Sequence, residues 1–567
     1  MKKILSLAVL LLGLLLVGCG GKPNKITASI TIEAITPART SVHVSYKVND
    51  EHEEITPNTI TGRILQDNKE ILTKNPEPVL DSETEEVIGY TLDISGLKVG
   101  DEYTLEIYGT INKKLHVFIK ETFKTSTAGS SPEDPKILTT VDEFFLIETD
   151  PKAYYKLAND LDFEGKDIPG LFIRTTRFEG HLDGDGHTLK NISISDRRTY
   201  TALFGRILGS ISNLNIDNMT ITLVGINKHS QYISFLVGRN NGTITNVNIT
   251  NSKIETHFTY TGRIYIGGIA GYSDVNSKVV DSSVDATFNI TSSTQTEFHL
   301  GGLVGYMNES ALRDSSANVI MNISNAYKSL FGGAVGLSTK TNKQSEIVNT
   351  IAKSVVNLST HVTTIRTDTN TKKPELLETV FGGLVAKSAS TRIASSIAQS
   401  NVTLTKASIT AANSNPDDLY IISGFVGLLY NGSTLDNTYH DTTITTNVQD
   451  VDIDNAYDAL YLTGNVGFVS GSTLEKSSGK TTIVAQRLSP IVQLTPSIGQ
   501  LINNYNIDDL VFETTGDAFS GIITYDETNY TDQAVLITDV VSSVDLTPVL
   551  IEDYYSSDFI KAYLANQ

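Results

Sequence analysis

Over most of the chain, apolar and polar residues alternate in short runs. Leu214, Ile216, Ile221 and Leu223 form one such run, and Val247, Ile249 and Ile254 form the next. A period of two means a strand with one buried face. No 3.6-residue pattern separates the runs, which argues against βαβ crossovers. Ahead of each run stands a glycine block: Gly267-Gly268-Ile269-Ala270-Gly271, Gly301-Gly302-Leu303-Val304-Gly305 and Gly332-Gly333-Ala334-Val335-Gly336. Looser copies end at Gly205, Gly238, Ala386, Gly427 and Gly467, so the last positions advance by 33, 33, 34, 31, 50, 41 and 40 residues. Between block and run lies an apolar residue, any residue, then Asn or Asp: Ile211-Ser212-Asn213, Ile244-Thr245-Asn246, Val279-Val280-Asp281, Leu312-Arg313-Asp314, Ile347-Val348-Asn349 and Leu435-Asp436-Asn437. Ser395 and Lys476 take the polar place in two further copies.

A fixed period of this size marks a repeat architecture. Short strands, glycine corners and no helices predict an all-β fold, a right-handed parallel β-helix with about one rung per repeat. Glycine would serve there by accepting a positive φ at a corner or by letting another backbone come close. The Asn/Asp column is expected to form a side-chain ladder. A phosphate cradle would need a following helix and a lysine, and the sequence supplies neither.

The N-terminus carries Lys2 and Lys3 and then an apolar run from Ile4 to Val17, the layout of an export signal. The run is short for a bilayer-spanning helix of about 20 residues. It ends Leu16-Val17-Gly18-Cys19, which resembles the lipobox of bacterial lipoproteins. The resemblance implies cleavage before Cys19, a diacylglyceryl group on its sulfur and tethering to membrane lipid at the extracellular face of the cell membrane. Residues 1–18 are read as the signal and 19–25 as the lipidated cysteine with its spacer. Cys19 is the only cysteine, so an internal disulfide is excluded and stability must come from burial and stacking. The balance of 44 basic and 64 acidic residues, net −20, makes nucleic acid a poor partner. Tryptophan is absent, leaving 24 tyrosines as candidates for aromatic contacts.

From 26 to 127 strands alternate with turns, as in Ser41-Val42-His43-Val44-Ser45-Tyr46 and Tyr90-Thr91-Leu92-Asp93-Ile94. The stretch Leu97-Lys98-Val99-Gly100-Asp101-Glu102-Tyr103 resembles the E–F corner of a fibronectin type III or related immunoglobulin-like domain, where a tyrosine anchors the turn. That resemblance implies a small antiparallel β-sandwich ahead of the solenoid. Residues 128–136, with Ser130, Ser131, Pro132 and Pro135, read as a linker. Thr139-Thr140-Val141-Asp142-Glu143-Phe144-Phe145 reads as a capped helix laid over the first rung, whose bare strand edges would otherwise invite pairing. The solenoid is assigned to 137–490, and 491–567 to terminal rungs and a cap with a helix at Ser556–Leu564.

The block from Tyr154 to Phe163, continued by Phe178-Glu179-Gly180-His181-Leu182-Asp183-Gly184-Asp185-Gly186-His187, together with the glycine repeats, resembles the GLUG-repeat β-helix of bacterial surface proteins. Similar regions occur in adhesins and in the non-catalytic part of IgA-cleaving metallopeptidases. The resemblance implies an extracellular solenoid for adhesion or display, with a host or environmental protein or glycan as ligand. It implies no enzymatic activity. The residues point the same way: His52-Glu53 is the one His-Glu pair, and Pro57 follows too soon for a zinc-binding helix. A nucleophile elbow with a matching histidine is also lacking. Asp183-Gly184-Asp185-Gly186 lacks the terminal acidic ligand of a calcium loop. Arg174, Arg177, Arg197 and Arg198 with Asp183 and Asp185 are the best cluster for an acidic-polysaccharide site, and they read as solvated rung edges. The sequence therefore assigns no catalytic residue, metal ligand or cofactor. Polar insertions at Ile365–Glu375 and Thr410–Asp418 are the expected recognition loops. A carbohydrate-active β-helix enzyme and a purely structural envelope protein are the alternatives.

Overall fold

The computed structural model describes residues 26–537, except 39, 57, 82–85, 196–197, 226–229, 259–261, 293–296, 325–328, 361–377, 407–418, 449–458, 471, 487–490, 496–511, 516–517 and 527–534. The export signal, Leu16, Val17, Gly18 and Cys19, both polar insertions, Arg197 and the terminal helix at Ser556–Leu564 lie outside the described residues. The chain divides into two compact units, Met1–Thr127 and Ala128–Gln567.

The first unit is a pair of antiparallel four-stranded sheets. One runs Ser29–Pro37, Ser41–Asn49, Val87–Ser95, Glu77–Leu80 in order of pairing, and the other Lys69–Lys74, Thr61–Gln66, Glu102–Ile111, Lys114–Lys124. Alternate residues of both, among them Val42, Val44, Tyr46, Leu92, Ile64, Leu105 and Ile107, close one core. At the corner after Leu97 the Lys98 amide donates to the Tyr103 hydroxyl at 2.8 Å, tying a buried ring to the turn it follows. His43 and His116 are strand residues. His43 Nδ1 lies 2.6 Å from Asp93 Oδ1, and the His116 ring meets Phe118 edge-on.

The second unit is a parallel β-solenoid of three faces. Each rung lays a short strand on the first face, as in Gln231–Ser234, Arg263–Gly267 and Glu297–Gly301. It turns through the glycine block onto the second face, as in Val237–Asn240, Ala270–Ser273 and Val304–Asn308. The third face takes the alternating run, as in Ser210–Gly225 and Thr243–Phe258. Pairing is in register from rung to rung. On the second face Phe204, Val237, Ala270, Val304, Val335, Val385, Val426 and Val466 stack in one buried column. On the third, Leu182, Ile211, Ile244, Val279, Leu312, Ile347, Ile393, Leu435 and Leu474 stack in another. The extra residues of the longer repeats fall between a third-face strand and the next first-face strand, for example between Ile351–Thr360 and Glu378–Gly382. The period drifts there while the register holds.

At the first rung Thr140 caps one helical turn, Val141–Phe145, through a reciprocal capping box with Glu143. This turn sets Phe144 into the solenoid interior, edge-on to Phe163 at 5.7 Å and to Phe204 at 6.0 Å.

The two polar signatures exchange the roles expected of glycine. None of the repeat glycines adopts a positive φ. The left-handed positions are the Asn/Asp column: Asn213, Asn246, Asp281, Asp314, Asn349, Ser395 and Asn437 have φ between 46° and 52°. Asn and Asp tolerate this region because their short side chains can bond locally. Here they also bond along the stack. Asn246 donates to Asn213 and Asn213 to Asp183, both at 2.9 Å, and Asn349 donates to Asp314 at 2.8 Å. A second ladder runs Asn218 to Asn191 to Asp162. Next to some of these left-handed residues a buried hydroxyl takes an amide of the preceding rung. Ser282 Oγ accepts from Val247 N and Ser315 Oγ from Ser282 N, both at 3.2 Å.

The glycines instead permit close approach. A Cβ on Gly302 would stand 2.1 Å from the Gly333 carbonyl, one on Gly333 2.0 Å from the Gly383 carbonyl, and one on Gly383 1.9 Å from the Gly424 carbonyl. The last glycine of the block faces the first-face strand of the rung before: Gly271 lies against Ile233, Gly305 against Ile266 and Gly336 against Leu300. Backbone atoms are the obstacle, so a side chain cannot relieve the clash by rotating. We expect Gly333→Ala to destabilise the solenoid by about 2–4 kcal/mol. Thermal unfolding followed by circular dichroism checks this. An unchanged midpoint would mean that the rungs can spread.

Candidate functional site

The outward side chains of the first and second faces meet over the glycine bend and form a trough along the solenoid. On the first face the outward column runs Tyr200, Tyr232, Tyr265, His299, Leu330, Val380, Ile421, Tyr461. On the second it runs Arg206, Arg239, Tyr272, Tyr306, Leu337, Lys387, Leu428, Phe468. The early rungs are aromatic and charged. In the late rungs Leu330, Val380, Ile421, Leu428, Tyr461 and Phe468 form an apolar cluster distinct from the solenoid interior.

In the early rungs Tyr200, Tyr232 and Tyr265 stack at 5.3 and 5.2 Å with nearly parallel rings. Their faces are turned to one another, so the ladder offers ring edges and hydroxyls. Tyr272 crosses edge-on to Tyr306 at 4.6 Å and to Tyr265 at 5.8 Å. Guanidinium groups cover the remaining faces: Arg206 lies 5.4 Å over Tyr200 and Arg239 5.3 Å over Tyr272. Burial pushes the Tyr232, Tyr265 and Tyr272 phenols up, so they remain neutral hydroxyls and not bases at neutral pH. Arg239 also pairs with Asp274, whose carboxylate accepts from Asn241 at 3.1 Å and from the Val275 amide at 2.9 Å. Burial would raise the Asp274 pKa, but these donors outweigh it and hold the group below the usual range.

Where the aromatic part gives way to the apolar part, a cavity of about 280 Å³ opens. Its wall includes Arg263, Tyr265, Glu297, His299, Tyr306 and Lys387, with Leu330 and Leu337 on the apolar side. Arg263 and Glu297 are register partners on adjacent rungs, and His299 follows Glu297 on the same outward side. Glu297 Oε1 receives Arg263 Nε at 3.2 Å and lies 3.0 Å from His299 Nε2. Burial alone would raise the Glu297 pKa, but the hydrogen bond with His299, the charge His299 carries when protonated and the Arg263 charge pull it down to about 2. His299 is 4% exposed, and burial pushes its imidazolium down, so the ring is neutral at pH 7. A carboxylate has no proton to give, so Nε2 carries the hydrogen and Nδ1 the lone pair. Nδ1 is buried and has no partner among the described residues. The Tyr306 hydroxyl is within 2.8 Å of Thr339 Oγ1, and Lys387 Nζ stands 5.5 Å over the Tyr430 ring. The cavity thus joins a fixed anion, two cations and a neutral imidazole able to accept a proton.

The cluster anticipated around Asp183 is not assembled as one. Arg177 binds Glu179 at 3.1 Å and Asp185 binds Lys156 at 3.0 Å. Asp183 accepts from the Asp185 amide at 3.0 Å and from Asn213 at 2.9 Å, closing a turn and ending a ladder. Sequence reasoning missed the trough, although a signal was present. The glycine blocks are flanked by aromatics, as in Tyr265-Ile266-Gly267 and Gly271-Tyr272, and His299-Leu300-Gly301 and Gly305-Tyr306.

No known family profile matches the chain. An alignment of 175 positions, which covers 28% of the chain, is 27% identical to halomucin of Haloquadratum walsbyi and spans 2% of that protein. A Bacteroides ovatus protein described as an immunoglobulin A1 protease is similar in structure at 15% identity and a TM-score of 0.30, over 61% of this chain and 86% of that one. A Yersinia enterocolitica family 28 exopolygalacturonase is similar at 11% identity and a TM-score of 0.19, over 84% and 99%. These likenesses assign no residue a role, and the solenoid rests on its own strand register. One expectation is corrected on the geometry of this chain itself: the reading of it as non-enzymatic is withdrawn. The physical reason lies in the solenoid. Motif scanning looks for chemistry within a few residues, whereas here Arg263, Glu297 and Lys387 come together from separate rungs.

The Glu297 pKa makes this cavity acid-sensitive. Its folded value lies below its ordinary 4.5, so its contribution to stability is complete above about 4.5 and is lost as pH falls towards about 2. We expect the melting-temperature gap between wild type and Glu297→Gln to be widest near neutrality and to close across that window. A gap that does not vary with pH would rule out an ionised, paired Glu297.

Proposed function

We propose that this chain is a carbohydrate-active β-solenoid that takes an extended glycan along the trough and acts on it at the His299 cavity. The observation that carries this reading is the cavity itself: two cations, an ionised carboxylate and a neutral imidazole placed where a row of tyrosine edges and hydroxyls leads in. Among the described residues lining the cavity Glu297 is the single carboxylate. Glycoside hydrolysis through a pair of carboxylates is therefore not what this wall supplies. The neutral His299 is the group suited to take a proton, with Arg263 and Glu297 positioning it. Incubating the purified chain with a panel of polysaccharides and assaying for new chain ends tests the reading. Product is expected from at least one polymer and should drop at least tenfold in His299→Ala, in line with the usual loss of a general base. Binding without product from any polymer would remove catalysis and leave recognition.

We further propose that the protein is lipid-anchored at the extracellular face of the cell membrane, the solenoid being of the GLUG type and the sandwich of the fibronectin type III kind. Leu16-Val17-Gly18-Cys19 supports the anchor, the recurring glycine block the repeat type, and the Tyr103 corner the sandwich. Cys19→Ala should move the protein from the membrane fraction to the soluble fraction. Retention of the variant in the membrane would sink the anchor.

A further inference from the structure

We infer that the His299 cavity receives the end of a glycan chain and not its middle. This rests on the glycan reading above and deepens it. The trough stops just past the cavity. Along the outward second-face column Arg206, Arg239, Tyr272, Tyr306, Leu337 and Lys387 keep part of their surface in solvent, whereas Leu428 and Phe468 are 3% and 5% exposed. The first-face column closes in the same direction. Tyr200 and Tyr232 are half-buried, Tyr265 and His299 are nearly covered, and Val380 and Ile421 are wholly so. Past Lys387 the two columns join, and Val380, Ile421, Leu428, Tyr461 and Phe468 pack into one cluster. Among the described residues the trough is therefore open on one side of the cavity and shut on the other.

The glycines at the bend show how it is shut. At Gly271, Gly305 and Gly336 the nearest obstacles to an added Cβ are backbone atoms. At Gly427 the nearest is Val380 Cγ1 and at Gly467 it is Ile421 Cγ2, each at 2.2 Å. In the late rungs branched side chains of the first face thus lie directly on the glycines and fill the bend. Moving them aside would return buried apolar surface to water, so a polymer laid across the cavity would have no path onward.

Size and hydrogen bonding agree with this. The cavity, about 280 Å³, lies just below the range of about 300–1,000 Å³ usual for small-ligand pockets. It holds a short terminal segment, with the rest of the chain running back along the tyrosine ladder. His299 is almost wholly buried, and its Nδ1 lone pair has no donor among the described residues. Buried acceptors are nearly always satisfied. Within a glycan the linking oxygen has no hydrogen to give, whereas at the chain end the same position is a free hydroxyl, a donor. A terminal unit therefore brings a hydrogen that an internal unit lacks.

The test is the binding stoichiometry of the full chain, measured by titration calorimetry against short and long size fractions of amylose, mannan, hyaluronan and polygalacturonate. For at least one polymer a single copy of the protein should bind per polymer chain in both fractions. At equal mass the longer fraction should then saturate fewer copies, in proportion to its fewer ends. His299→Phe, which keeps a ring but removes the acceptor, should weaken that binding about tenfold. Copies bound per polymer chain that rise with its length would overturn the inference and leave the glycan reading standing. Unchanged affinity in His299→Phe would place the chain end elsewhere and overturn it too. Failure of all four polymers to bind would bring down the glycan reading itself, and the inference with it.

Discussion

Everything in the solenoid depends on how closely one rung can lie on the next. Parallel strands pair at about 4.8 Å, and at the bend between the first two faces that spacing presses a carbonyl of one rung against the Cα of another. The contacts at Gly302, Gly333 and Gly383 leave no volume for even a methyl group. Because the bend stays tight in successive rungs, the columns on all three faces stay aligned, and residues 31 or 50 positions apart become neighbours. The trough follows from the same constraint, since the closing glycine of blocks such as those ending at Gly271, Gly305 and Gly336 lets the first-face strand of the preceding rung settle against the second face.

Much of this was legible in the sequence. The repeat, the alternating runs and the Asn/Asp column each mapped onto a structural column, and the short capped helix onto Val141–Phe145. What could not be read was the division of labour between two residue types that both relieve backbone crowding. Glycine and asparagine each tolerate a left-handed φ, and only the coordinates show that Asn213 and its counterparts adopt it while the glycines stay in the ordinary region. The hydroxyls that follow, such as Ser282 and Ser315, had no part in the sequence reading and are buried acceptors.

The trough was harder to foresee for a different reason. A buried column keeps its character from rung to rung because the interior is uniform, so it shows as a repeat. The outward column changes from Tyr265 to His299 to Leu330 in consecutive turns, and a search for recurrence passes over it. Arg263, Glu297 and Lys387 lie on separate rungs, too far apart in sequence for any local motif to join them. Non-recurrence on a repeating scaffold is itself informative, since a position that departs from its column is free of the demands of folding.

The amide ladders have a direction. Asn246 gives its hydrogen to Asn213 and Asn213 to Asp183; Asn218 gives to Asn191 and Asn191 to Asp162. In both, every donor points towards the N-terminus, and the series ends on a carboxylate that accepts and never donates. The terminus at that end is chemically fixed. At the other end of the first ladder the next residue of the column is Asp281, which has no hydrogen to give, so the amides form a short run closed by acids at both ends and the stack beyond it is tied by fresh runs such as Asn349 to Asp314.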